Sequence, residues 1–195
     1  MKGNVNNFSC LVEIDKTFYQ CDFDHKSIDI LQTVTGKGFY SLYNEFIFNA
    51  SLNNKDVVNI LAVSAYKHHG AFGMQKMKSL LIAHPEISLN ELATFKAHFK
   101  NLLPDKNEFQ KELKFINPKA KQLSESSDFY NFEDAYAIAK NFLGWSDDDF
   151  WLATPRKFCF ALISLAKFNK EREDFSKKIQ TENCINFLNG IKKLL

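Results

Sequence analysis

The sequence predicts a mainly α protein (α+β), in which an N-terminal β-hairpin packed by helices leads through a linker to a small C-terminal helical domain. Three observations predict it. Strict alternation of apolar and polar residues is confined to positions before Asp24. From Ser27 onward, apolar residues recur at helical spacing. The stretch Leu143–Phe158 packs two helix starts and a set of bulky aromatics into one corner.

Phe8, Cys10, Val12 and Ile14 alternate with mostly polar neighbours, which is strand periodicity. Asp15-Lys16 makes the turn, and Thr17–Phe23 returns with Tyr19, Cys21 and Phe23 on one face. The turn lacks glycine, so the register is left open by the sequence. A lone hairpin is marginal in water, so helices must cover one of its faces.

Ser27–Val34 reads as a short helix closed by Gly36 and Gly38. A second helix is expected over Phe39–Phe48, with Phe39, Leu42, Phe46 and Ile47 on one side. A third is expected over Asp56–His68, with Val57, Leu61, Ala65 and His68 in line. Gly70 and Gly73 punctuate, and Met74–Ala83 continues helical up to His84-Pro85. Ser88-Leu89-Asn90-Glu91 is a capping box opening a helix whose apolar side is Leu92, Phe95, Phe99 and Leu102/Leu103.

Pro104 ends the first domain, residues 1–104. Residues 105–128 read as a linker holding one helix around Phe109, Leu113 and Phe115-Ile116. The second domain, residues 129–195, opens with a helix carrying Phe132, Tyr136, Ala139 and Leu143 on one face. Ser146 and Asp149 then form a capping box, and Trp145 and Phe150 are placed to close a hydrophobic staple. This first helix is expected to last about two turns. Thr154-Pro155 is a second start, with Thr as N-cap and Pro at N1. Phe158, Leu162, Leu165 and Phe168/Asn169 continue the helical spacing, and Phe175, Ile179, Ile185, Leu188 and Ile191 are the apolar positions of a last helix.

The chain has 195 residues, 45% of them hydrophobic, which is enough for a packed core. A net charge of +2 is too near neutral to imply nucleic-acid binding by bulk electrostatics. Lys167, Lys170, Arg172, Lys177 and Lys178 interleave with Glu171, Glu173 and Asp174, as on a solvated face. Met1–Asn7 has no apolar stretch and no run is long enough to span a membrane, so a cytoplasmic protein is expected. The four cysteines, Cys10, Cys21, Cys159 and Cys184, include no C-x-x-C pair and are expected to be reduced, although Cys10 and Cys21 lie on facing strands.

No constellation in the sequence points to chemistry. Asp147-Asp148-Asp149 lacks the spaced ligands and glycine of a calcium loop, and reads as negative charge at a helix N-terminus. His68 and His69 are adjacent and cannot face one zinc ion from a helix. They read as a helix C-terminus, and His84 and His98 as surface positions. Thr35-Gly36-Lys37-Gly38 lacks the order of a phosphate loop and reads as a helix stop. No cysteine has a plausibly placed base. Neither enzyme activity nor a cofactor or metal is expected.

Leu143, Gly144, Phe150, Trp151, Thr154 and Pro155 form a Leu-Gly-x-x-x-x-x-Phe-Trp-x-x-Thr-Pro pattern, with Phe158 following. Over Phe132–Phe168 the chain resembles the small tail assembly chaperones of siphophage-like prophages and gene transfer agents. It departs from them at Lys157, where an acidic residue would complete a second capping box. The N-terminal part, from the strand pair through the helix ending at Thr35-Gly36 to Asp56–His68, is similar to the companion tail protein encoded just upstream in gene transfer agents. The resemblance implies a chaperone that binds the tape measure protein, recruits tail tube subunits and leaves the finished particle. Self-association is a further possible contact; nucleic acid and membrane are not expected partners. The candidate protein-binding residues are Trp145, Phe150, Trp151, Phe158, Leu162 and Leu165, either as the core of the helical domain or as an exposed groove for another chain's apolar segment. Two alternatives stand beside this: a helical adaptor or regulatory protein with an unrelated partner, and a nucleic-acid-binding accessory protein, whose binding would weaken steeply with salt.

Overall fold

The computed structural model describes residues 10–48, 53–84, 89–104, 128–170 and 175–194. It is mostly helical, with a two-stranded antiparallel hairpin at its start. The described residues fall into two compact units, Met1–Leu102 and Leu103–Leu195. The expected linker, the cap at Ser88 and the strand residue Phe8 lie outside the described residues.

In the first unit, β1 (Cys10–Ile14) pairs with β2 (Thr17–Cys21) in the register Cys10↔Cys21 to Ile14↔Thr17. That register requires a two-residue turn, and Asp15 and Lys16 adopt it with φ of 47° and 58°. Both are left-handed positions that match the strand twist but cost a non-glycine residue about 1–2 kcal/mol each. Replacing the pair with Asn-Gly is therefore expected to stabilise the unit by about 1 kcal/mol. A thermal melt should show it as a rise of the midpoint. Val12, Ile14, Tyr19 and Cys21 face the core, whereas Leu11 and Phe18 lie exposed on the other face.

α1 (His25–Thr35) starts two residues before the expected Ser27. Asp24 is its N-cap, accepting from the Ser27 N–H and hydroxyl at 2.8 Å each. Gly36 closes it at φ 67°. α2 (Phe39–Phe48) begins where its Phe39 N–H reaches the Gln32 side chain, at 3.0 Å. α3 (Asn54–Ser64) and α4 (Tyr66–Ala83) replace the expected helix over Asp56–His68. The break falls at Ala65, just after Ser64, whose carbonyl accepts the Asp22 N–H at 2.9 Å and whose hydroxyl bonds back to Leu61 at 2.6 Å. A backbone contact from the hairpin thus interrupts a pattern that is continuous in the sequence.

α4 kinks at Gly70, with φ 63° and ψ −171°, a region open essentially to glycine alone. Gly73 lies inside the helix rather than marking its boundary. A Cβ there would meet the His69 Cβ at 2.1 Å. The two glycines together let His69 fold back, so that its Nε2 accepts the Gln20 N–H of β2 at 3.0 Å.

α5 (Leu89–Lys100) packs against α2 and β1. Its Phe99 is the hub of the first core, with ring centroids 5.0 Å from Phe23, 5.2 Å from Phe46 and 5.6 Å from Tyr43. Tyr43 also donates its hydroxyl to the Lys100 carbonyl at the end of α5, at 2.9 Å.

The second unit runs through α6 (Phe132–Ile138), which widens into a π-helical turn over Ala139–Leu143, to α7 (Asp147–Trp151), α8 (Pro155–Lys170) and α9 (Phe175–Leu194). α7 is shorter than the two turns expected. α9 packs on α8 and α6, and buries Cys184, Ile185, Leu188 and Ile191. The side chains of Phe175 and Ile179 lie outside the described residues. Along α6 and its π-helical turn the most buried positions are Ala135 and Ala139, whereas Phe132, Tyr136 and Leu143 are half-buried.

Among the described residues, no helix is long and apolar enough to cross a membrane.

Candidate binding surface at the Thr-Pro corner

The corner is built by four successive local devices. Gly144, at φ 67°, ends the π-helical turn, and the Trp145 N–H donates to the Ala139 carbonyl at 3.1 Å. Ser146 then caps α7: its hydroxyl accepts the Asp149 N–H at 3.1 Å, and the Asp149 carboxylate accepts the Ser146 N–H at 3.0 Å. Asp147 accepts from Lys140 Nζ and from the Tyr136 hydroxyl, both at 2.8 Å, tying α7 back to α6. Finally, Thr154 Oγ1 accepts the Lys157 N–H at 3.2 Å, and Pro155 opens α8.

Two carboxylates of this corner, Asp147 and Asp149, are favoured in their charged form. Hydrogen bonds from Lys140 and then Tyr136 pull Asp147 below the usual carboxylate range. The Ser146 hydroxyl and N–H do the same for Asp149. Asp147 is thus occupied by a tie to α6 and Asp149 by capping. Among the described residues, no group of His, Cys, Asp and Glu is arranged to hold a metal ion.

The sequence-predicted residues divide into two sets. Phe150, Phe158 and Leu162 are fully buried and form core. Phe158 stands edge-on to Phe150 at 6.0 Å and to Phe187 at 5.4 Å. Trp145, Trp151 and Leu165 are half-buried. Trp145 lies 5.7 Å from Phe158, so the residues expected to form the staple are joined through Phe158. Lys157, which departs from the acidic residue of the tail-chaperone pattern, places Nζ 5.6 Å from the Trp145 ring centre as a cation–π contact.

Trp151 stacks on Phe132 at 5.8 Å and on Tyr136 at 6.4 Å, with interplanar angles of 30° and 28°. Leu152 beside it is exposed. Along α8, Ala161 and Leu165 are half-buried and Phe168 is exposed, so an apolar flank at i, i+4 and i+7 stays accessible next to the buried face. Among the described residues, the accessible apolar surface of this unit includes the Phe132–Tyr136–Trp151 stack with Leu152, the Leu165–Phe168 flank, and Phe129.

Sequence reasoning missed Phe187, Tyr130 and the role of Phe132. Phe187 had a signal, since it precedes Leu188 and completes a helical stripe with Cys184 and Ile191. The stacking of Phe132 on Trp151 joins two helices across the corner, and nothing local announces it.

In the first unit one histidine, His98, departs from expectation, whereas His84 is exposed as expected. His68 and His69 end the short helical segment that stops at the Gly70 kink, as expected, whereas His98 is buried rather than on the surface. His68 and His98, with Lys67, gather around Asp22, itself only 2% exposed and held by the backbone contact to Ser64. Asp22 pairs with Lys67, and it lies 3.8 Å from His98 Nε2 and 4.0 Å from His68 Nε2. Its carboxylate also accepts the Phe23 N–H at 2.7 Å. Burial pushes the Asp22 pKa up, but the His98 and Lys67 contacts outweigh it and leave it below the ordinary value of 3.8. Burial, with the Lys67 charge beside it, holds His68 below the ordinary imidazole range.

The sign of the Asp22 shift fixes its effect on stability. A carboxylate whose folded pKa is depressed contributes stability that is present above its unfolded pKa and lost as pH falls through the folded one. The first unit should hold its Asp22 contribution down to pH about 4 and lose it below. An Asp22→Asn variant, compared with wild type by urea denaturation at pH 7 and pH 3, should differ much less at pH 3.

Lys37, in the glycine-flanked stretch, pairs with Asp56 at 2.7 Å and Glu45 at 3.6 Å, consistent with a helix stop whose lysine is structural.

No family model, no curated protein and no solved structure matches this chain.

Proposed function

We propose that this chain is an assembly chaperone of a phage-like tail, which covers the apolar stripe of the tape measure protein and brings tail tube subunits to it. The observation that carries the reading is the corner itself. The pattern Leu143–Pro155 builds a doubly capped helix junction, and its Trp151 stays half-exposed on a stack of aromatic rings. A long apolar helix aggregates unless its stripe is transiently covered, and flat aromatic surfaces next to a rigid junction are suited to that task. The accessible rings belong to side chains with few torsions, so ordering them on contact costs little. Release from the finished particle asks for modest affinity per copy, which a small surface supplies.

The test is co-expression with the tape measure protein of the same genome, followed by pull-down and a solubility assay. Wild type is expected to raise the soluble fraction of the tape measure protein and to be captured with it. Trp151→Ala is expected to stay folded by circular dichroism and to lose the rescue. A wild-type chain that neither binds nor solubilises the tape measure protein would overturn the proposal in favour of an adaptor with another partner.

A further inference from the structure

Cys10 and Cys21 stand directly opposite each other on β1 and β2. Residues opposite one another in an antiparallel pair project to the same face, and Val12 and Tyr19 mark that face as the core side. Ile14↔Thr17 flanks the two-residue turn and is a hydrogen-bonded pair, so by alternation Cys10↔Cys21 is one too. Such pairs have Cα atoms about 5.5 Å apart, inside the range of roughly 4.4–6.8 Å that a disulfide spans. The Cys21 thiol donates to the Tyr19 carbonyl at 3.6 Å. Cys10 is half-buried and can be reached from solvent, whereas Cys21 is fully buried. We propose that Cys10 and Cys21 are a reversible thiol–disulfide pair, oxidised by small-molecule disulfides through the accessible Cys10.

The chemistry balances with that oxidant. The Cys10 thiolate attacks one sulfur of the small disulfide, forming a mixed disulfide and expelling one thiolate. Cys21 then attacks the Cys10 sulfur, closing the cross-strand bond and expelling the second thiolate. Two protein thiols are oxidised, one disulfide is reduced to two thiols, and the two thiol protons pass to the leaving groups. The Cys21 thiol opposite lowers the Cys10 thiol pKa against the opposing effect of burial, with His98 nearby adding to it. The neighbouring Cys10 thiol is the first cause of the upward push on Cys21, with burial adding to it. By contrast, burial pushes Cys159 and Cys184 up to about 12, so they serve as internal controls.

The test treats the folded full chain with oxidised glutathione, blocks residual thiols under denaturing conditions, and maps tryptic peptides without reduction. Cleavage after Lys2, Lys16 and Lys26 places Cys10 and Cys21 on separate peptides. The expected result is a cross-linked 3–16/17–26 pair that replaces most of the two free peptides and returns to them on dithiothreitol treatment. Cys159 and Cys184 should be recovered blocked. A time course should show glutathione on Cys10 before the cross-link appears, and Cys10→Ser should abolish both adduct and cross-link. Glutathione that persists on Cys10 without a cross-link, an unreacted Cys10, or oxidation of Cys159 and Cys184 at the same rate would each overturn the proposal.

Discussion

Phe99→Ala is expected to destabilise the first unit by about 3–5 kcal/mol, the range for truncating a fully buried aromatic residue. Phe99 is completely excluded from solvent and touches the rings of Phe23, Phe39, Tyr43, Phe46 and Phe95. Those partners come from the segment after β2, from α2 and from α5 itself, so no single element can close the hole by moving alone. Part of the loss is transfer of the ring out of the core, and part is the cavity left between elements whose positions are otherwise fixed. Urea denaturation should show the midpoint of the first unit falling sharply with an unchanged slope at that transition. Phe99→Leu, which retains most of the volume, should recover over half of the loss. A change below about 1 kcal/mol for the alanine variant would mean that the ring cluster relaxes freely, contrary to a tightly packed core.

The second large effect separates core from surface at the Thr-Pro corner. Phe158→Ala is expected to cost about 3–5 kcal/mol, because Phe158 is fully buried among Trp145, Phe150 and Phe187. Trp151→Ala removes a half-buried ring with stacking contacts to Phe132 and Tyr136, each of which contributes about 0.5–1.5 kcal/mol. Its cost is expected to be clearly the smaller of the two. Near-ultraviolet circular dichroism and thermal melting of the two variants, side by side, check this order. The order decides which residue can report on binding, since a variant that melts the unit loses every surface at once. Loss of partner binding in Phe158→Ala would therefore say nothing about contact, whereas loss in a folded Trp151→Ala would.

Local signals carried much of this architecture into the sequence. The hairpin strands follow from alternation at Cys10–Ile14 and Thr17–Cys21, the end of α1 from Gly36, and the corner from Ser146, Asp149, Thr154 and Pro155. Each depends on residues close together in the chain, where spacing alone determines which groups can meet. What escaped the sequence depends on long-range contacts. The α3/α4 break needs the Asp22 N–H brought to Ser64, and the burial of His98 needs Asp22 drawn in beside it. A Cβ at Gly73 would collide with His69 only because Gly70 turns the chain there. At the candidate site, periodicity placed Phe150, Phe158, Leu162, Trp151 and Leu165 on helices without telling core from surface. That division is set by α9, whose Phe187 covers Phe158, and by α6, whose Phe132 props Trp151.

The central claim is that Trp151 and its stack contact the tape measure protein. It is tested most directly by titrating the purified chain with soluble tape measure segments and following tryptophan fluorescence. The sequence holds two tryptophans, so Trp145→Phe leaves Trp151 as the one reporter while keeping a ring against Phe158. The account predicts a saturable shift of Trp151 emission on binding, and at least about a tenfold weaker affinity for folded Trp151→Ala, equivalent to roughly 1.4 kcal/mol. Unchanged Trp151 emission with equal affinity of the two proteins, or no binding by the wild-type chain, would contradict it.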